Sequence, residues 1–212
     1  MRTVPINIYT YAELSDKAKE KANQWYLNDP FRNETFRDTY TEDLKNLFPN
    51  SDLKLQYSLT YCQGDGLNIY GTLDLTDIFK AIRDKAKYGT TFDHVRDVMR
   101  EHEQKTIEAY MSVCGRNIDL PYNDSRYAYC VSDKTDFASE WINELEYMQY
   151  KNIQVDTIRK MEKLVADIFV TLAGQYEKNG YEYFYEADED EITEECEANG
   201  WEFLADGTFW QG

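Results

Sequence analysis

The stretch from Leu53 to Leu75 constrains the fold more than any other part of the chain. It reads L-K-L-Q-Y-S-L-T-Y-C, then Q-G-D-G, then L-N-I-Y-G-T-L-D-L. Leu53, Leu55, Tyr57, Leu59 and Tyr61 alternate with Lys54, Gln56, Ser58 and Thr60, and Leu67, Ile69, Leu73 and Leu75 resume the same parity after the glycines. A period of two on both arms predicts a β-hairpin with one buried face. The rest of the chain reads as packing around it.

Ahead of the hairpin, Val4 to Tyr9 reads as a short strand, with Pro5 near its start. Thr10 and Glu13 have the spacing of a capping box, and Ser15 is a second cap. Leu14, Ala18, Ala22, Trp25 and Tyr26 then recur at helical spacing until Asn28-Asp29-Pro30 stops the helix. A second helix is expected over 34–48, with Phe36, Tyr40, Leu44, Leu47 and Phe48 as its apolar stripe.

After the hairpin, Thr76 is expected to cap a third helix closed by Gly89. A fourth runs from Thr91 to about Glu103 with Phe92, Val95, Val98 and Met99 inward. Ile107, Ala109, Met111 and Val113 alternate with polar neighbours and read as a strand, as does Arg126 to Val131, with an exposed loop between. From Thr135 the pattern is helical again. One stripe is Phe137, Trp141, Ile142, Leu145 and Met148; a longer one from Ile158 to Tyr176 is expected to end at Asn179-Gly180. The closing W-E-F-L-A-D-G-T-F-W reads as two aromatic strands around a turn at 205–208.

These elements predict an α+β fold: an antiparallel sheet built on the 53–75 hairpin, packed by amphipathic helices, with a helical acidic C-terminal part. With 212 residues, 42% hydrophobic content and 18 tyrosines, the chain can bury a sizeable core. One domain over 1–212 is expected, with a possible subdivision near 133 into 1–132 and 133–212.

Net charge is −17 and unevenly placed. Residues 1–105 hold 15 basic and 17 acidic side chains, residues 106–212 hold 8 and 23. A field of this sign repels nucleic acid and anionic membranes and attracts basic surfaces. Its densest part is eight acids in twelve residues without a basic neighbour: Glu186, Asp188, Glu189, Asp190, Glu191, Glu194, Glu195 and Glu197. A helix from about Asp188 to Ala198, stopped by Asn199-Gly200, would carry most of them, with acids in the first turn where the helix dipole favours them. This helix is either a solvated face or a surface that imitates a nucleic-acid backbone.

Signs of catalysis are sparse. Cys62 and Asp65 sit beside glycines, as a nucleophile loop would need, but glycines around an aspartate are also what a tight turn requires. A thiol nucleophile needs a base, and only His94 and His102 are on offer. His94, Asp97 and Glu101 are spaced to share a helix face, which makes a metal site conceivable, without an H-E-x-x-H signature or a second ligand cluster. No phosphate loop appears, and Cys62, Cys114, Cys130 and Cys196 lack C-x-x-C spacing. No cofactor is expected. The N-terminal residues read as too polar for a secretory signal, and no run is long and apolar enough for a membrane span, so a cytoplasmic protein with reduced thiols is expected.

The segments E-L-S-D-K-A-K-E-K-A-N-Q-W-Y, Y-S-L-T-Y-C-Q-G-D-G and E-A-N-G-W-E-F-L-A-D-G-T together resemble a family of uncharacterised bacteriophage and prophage proteins, sometimes labelled antitoxin-like. The resemblance covers the first 75 residues and about the last 20. It implies a bacterial host cytoplasm and brings no catalytic residues with it. The expected function is a phage-encoded interaction protein of anti-CRISPR type. Its acidic surface over 182–206 would block the basic groove of a host defence factor, such as a nucleic-acid-guided nuclease. The alternatives are an antitoxin-like binder of a small toxin, or a small metal-dependent nuclease or hydrolase.

Overall fold

A computed structural model describes residues 5–122, 135–186 and 188–211. In chain order a 3-10 turn (Tyr11–Glu13) leads into α1 (Asp16–Leu27) and α2 (Phe31–Leu47), then β1 (Asp52–Ser58) and β2 (Gly66–Asp74). There follow α3 (Leu75–Arg83), α4 (Lys85–Tyr88), α5 (Glu101–Cys114), β3 (Asn117–Leu120), α6 (Phe137–Tyr147), α7 (Val155–Tyr185), α8 (Glu189–Asn199), β4 (Glu202–Phe203) and β5 (Phe209–Trp210). The fold is α+β, as the sequence pattern implied. Contacts divide it into two compact units, residues 1–36 with 179–212, and residues 37–178.

The larger unit contains the hairpin. β1 and β2 pair antiparallel from Asp52 opposite Thr72 to Ser58 opposite Gly66, and β3 adds to the far side of β2. Leu53, Leu55, Leu67, Ile69 and Leu73 are buried, each a gain of about 1.5–3 kcal/mol over exposure. Gly71 lies inside β2 at φ +123, where a Cβ would come within 2.2 Å of the Asp52 carbonyl oxygen. Tyr61 is exposed in the connecting loop. Leu75 opens α3 instead of extending β2, because the Asp74 side chain, not Thr76, caps that helix by accepting from the Thr76 N–H at 2.9 Å.

Two buried carboxylates tie this junction together. Asp77 accepts from the Asn50 N–H at 2.8 Å and the Ser51 hydroxyl at 2.9 Å, while the Asp74 N–H donates to the same Ser51 oxygen at 3.0 Å. Arg116 Nε lies 3.0 Å from Asp74. Buried charges are tolerated only when paired and hydrogen-bonded in this way.

Several expectations are corrected. The anticipated strand at 106–113 is the middle of α5: Gln104, Ile107 and Tyr110 are buried three apart, the spacing of a helix and not of a strand. The anticipated helix from Thr91 is a run of turns before α5, although Phe92, Val95 and Met99 do point inward. The loop expected after α5 contains β3. Asn179-Gly180 does not end α7, which continues to Tyr185 with Gly180 buried within it. Tyr9 makes a single bridge to Phe203 instead of belonging to a strand, and the strand expected at 126–131 falls outside the described residues.

The smaller unit is built on α1. Ala18, Ala22 and Tyr26 form its buried face with Tyr11, Leu14, Ile192, Cys196 and Phe203. Trp25 stacks on Phe209 with centroids 4.2 Å apart and meets Trp201 edge-on at 5.1 Å. The β4–β5 turn closes against α1: at Gly207, φ +81, a Cβ would come within 2.0 Å of the Ala18 carbonyl oxygen.

Candidate acidic interface

The smaller unit concentrates the charge. Residues 1–36 and 179–212 hold 5 basic and 16 acidic side chains, a net of −11 out of −17. Much of this lies on α8, whose limits follow from local chemistry. Asp188 caps it by accepting from the Asp190 N–H at 2.8 Å, and Glu189, Asp190 and Glu191 fill the first turn. Gly200 ends it in the left-handed conformation, with the Trp201 N–H donating to the Cys196 carbonyl at 2.9 Å. This is the Schellman closure that glycine permits.

Only Ile192 and Cys196 of α8 are buried. Four residues apart, they form the narrow stripe that docks the helix, and burial pushes the Cys196 thiol up to about 11.

The eight acids do not form one equivalent set. Asp188 is the cap. Glu189 accepts from Lys19 Nζ at 3.0 Å. Glu191 accepts from the Tyr26 hydroxyl at 2.9 Å and lies 3.9 Å from Arg32. Arg32 is buried, its guanidinium 4.5 Å from the Tyr26 ring centroid and 3.9 Å from that of Tyr183, and it donates to the Tyr183 carbonyl. Burial, then the Glu191 hydrogen bond, raises the Tyr26 hydroxyl above its ordinary range. Glu195 accepts from Asn199 Nδ2 at 3.1 Å.

Glu186, Asp190, Glu194 and Glu197 are exposed and make no side-chain hydrogen bond or ion pair among the described residues. Asp190, Glu194 and Glu197 recur at i, i+4 and i+7, so they share the face of α8 turned away from Ile192 and Cys196. The sequence showed the run; only the packing separates the acids engaged by Lys19, Tyr26 and Arg32 from those left without such partners.

The catalytic candidates are not assembled. Asp65 accepts from the Thr60 and Cys62 N–H groups at 2.6 and 3.0 Å and from the Ser58 hydroxyl at 2.9 Å. Burial is the largest single influence and raises its pKa, but the donors from Cys62, Thr60 and Ser58 together outweigh it and hold the carboxyl well below the usual range. Cys62 Sγ, 3.1 Å away, donates to the same carboxylate. The loop is organised around this acceptor, whose strongly lowered pKa makes it a poor base for the thiol. His94 and Asp97 lie in the turns before α5, and Glu101, at its start, pairs with Lys105 at 2.6 Å. The shared helix face that a metal site required is therefore missing, and among the described residues no cluster of metal-ligating side chains occurs. No helix among them is long and apolar enough to cross a membrane.

Comparison of the chain with protein-family models, curated proteins and solved structures finds no match in any of the three.

Proposed function

We propose that the protein is a phage-encoded inhibitor whose outward α8 face occupies the basic, nucleic-acid-binding groove of a host defence protein. The observation that carries this reading is the division of the acidic run. Asp188, Glu189 and Glu191 fix the helix in place, and Asp190, Glu194 and Glu197 are left on one exposed face.

The outward face carries Asp190, Glu194 and Glu197 over 190–197. At about 1.5 Å of rise per residue that is roughly one charge per 5 Å of axis, sparser than the ~3.4 Å along one DNA strand but of the same sign and in a regular line. A rigid element carrying such a series offers a lysine- and arginine-lined channel a complementary charge pattern. The phage setting rests on the sequence resemblance described above.

Affinity capture from a bacterial host at two salt concentrations, followed by mass spectrometry, tests the proposal. A nucleic-acid-binding protein held at low salt and released at high salt is the expected result. A small toxin without a nucleic-acid groove would favour the antitoxin reading instead.

A further inference from the structure

We infer that a cavity beside the C-terminal end of α8 receives an arginine side chain from the partner; this rests on reading the acidic face as an interface. The cavity has a volume of about 420 Å³ and is lined in part by Tyr11, Ala12, Cys196 and Trp201, together with Glu197 and Glu202. No lining residue carries positive charge. It adjoins the outward face directly, because Glu197 belongs to both.

An apolar pocket with two carboxylates fits one protein side chain best. Arginine has a methylene stem that buries against apolar surface, a planar guanidinium that lies on aromatic rings, and a fork of donors that matches carboxylates. Lysine offers a strongly hydrated point charge instead, and an aromatic side chain would leave Glu197 and Glu202 without a partner. Trp201 is held ready for this contact by its edge-on packing with Trp25 at 5.1 Å and Phe209 at 6.3 Å. The same unit already uses this chemistry internally: Arg32 lies over two tyrosine rings beside Glu191. Arginines anchored in such pockets commonly dominate interface energetics.

The test is an NMR titration of the full chain with N-acetyl-arginine amide, N-acetyl-lysine amide and N-acetyl-tyrosine amide, following the Trp201 indole N–H and the Ala12 amide. Arginine amide should shift both signals saturably, and lysine amide should bind roughly threefold or more weaker. Glu202→Gln should weaken arginine binding roughly two- to fivefold. Ala12→Trp, which fills the cavity from an exposed position, should abolish the shifts while leaving the remaining spectrum folded. Equal binding of lysine amide, preferential binding of tyrosine amide, or arginine shifts that survive Ala12→Trp would overturn the inference. Asp190→Lys/Glu194→Lys lies outside the cavity and separates the two claims. If that variant still captures the host partner, the acidic-face reading fails whatever the cavity binds; if only the cavity tests fail, that reading stands.

Discussion

The Glu191 carboxylate accepts a hydrogen bond from the Tyr26 hydroxyl at 2.9 Å, which commits this acid of the run to a partner on α1 of its own unit. Its neighbour Asp190 makes no such bond, although the two are adjacent in sequence. Charge reversal at these two positions should therefore have unequal consequences. Glu191→Lys places a cation beside buried Arg32 and leaves Tyr26 without its acceptor, so a loss of about 1–3 kcal/mol is expected. Asp190→Lys, Glu194→Lys and Glu197→Lys should each change stability by less than about 0.5 kcal/mol. Urea denaturation of the four variants measures this, and equal losses would show that the acids are not divided as described.

Two glycines of the smaller unit should differ in the same assay. Gly207→Ala brings a Cβ within 2.0 Å of the Ala18 carbonyl oxygen at φ +81, so the β4–β5 turn must move away from α1, at a cost of more than about 2 kcal/mol. Gly200→Ala meets no atom within 4 Å, and its cost is the left-handed backbone alone, about 1 kcal/mol. A larger loss at Gly200 than at Gly207 would contradict this account of the turn.

What the sequence disclosed and concealed follows from the range of the interactions. The hairpin, the Ser15 cap, the limits of α8 and the Gly207 turn were legible because each depends on residues a few positions apart. The α5 strand reading failed because Ile107, Ala109, Met111 and Val113 alternate by coincidence, while the residues actually buried are Gln104, Ile107 and Tyr110. Gly180 looked like a stop because glycine costs a helix about 1 kcal/mol, an amount that burial within α7 can offset. β3 was hidden because a four-residue strand acquires its identity only from pairing with β2, some 45 residues earlier. In the candidate site, composition revealed the acidic run, but the commitment of Glu189 and Glu191 to Lys19 and Tyr26, more than 160 residues away, had no local signal.

The larger unit should show an acid-sensitive contribution from Glu103. Its carboxylate accepts from Lys160 Nζ at 2.8 and 2.9 Å and from the Arg100 N–H at 2.7 Å, and the Lys160 bond first of all holds its pKa below the ordinary value. A depressed folded pKa stabilises above the unfolded value, about 4.3, and that contribution is lost as pH falls through the folded value. Stability should therefore decline less steeply below about pH 4.5 in Glu103→Gln than in the wild type. Parallel pH–stability curves would show that Glu103 titrates alike in both states.

Thiol accessibility should follow burial. Cys62 is exposed, whereas Cys196 is buried with its thiol pushed up to about 11. Iodoacetamide at pH 8 should label Cys62 first and reach Cys196 only when the smaller unit opens, as peptide mass spectrometry over time would record. Early labelling of Cys196 would mean that α8 is not docked as described.

Under the proposed function, the outward face of α8 competes with nucleic acid for a basic groove. The most direct measurement adds the protein to its captured host partner, preloaded with fluorescent nucleic acid, and follows release by polarisation. The wild type should displace the nucleic acid, and the Asp190→Lys/Glu194→Lys/Glu197→Lys variant, with an unchanged melting midpoint, should require a far higher concentration or fail. Equal displacement by the two proteins, or a captured partner that keeps its nucleic acid when the wild type is bound, would contradict the account.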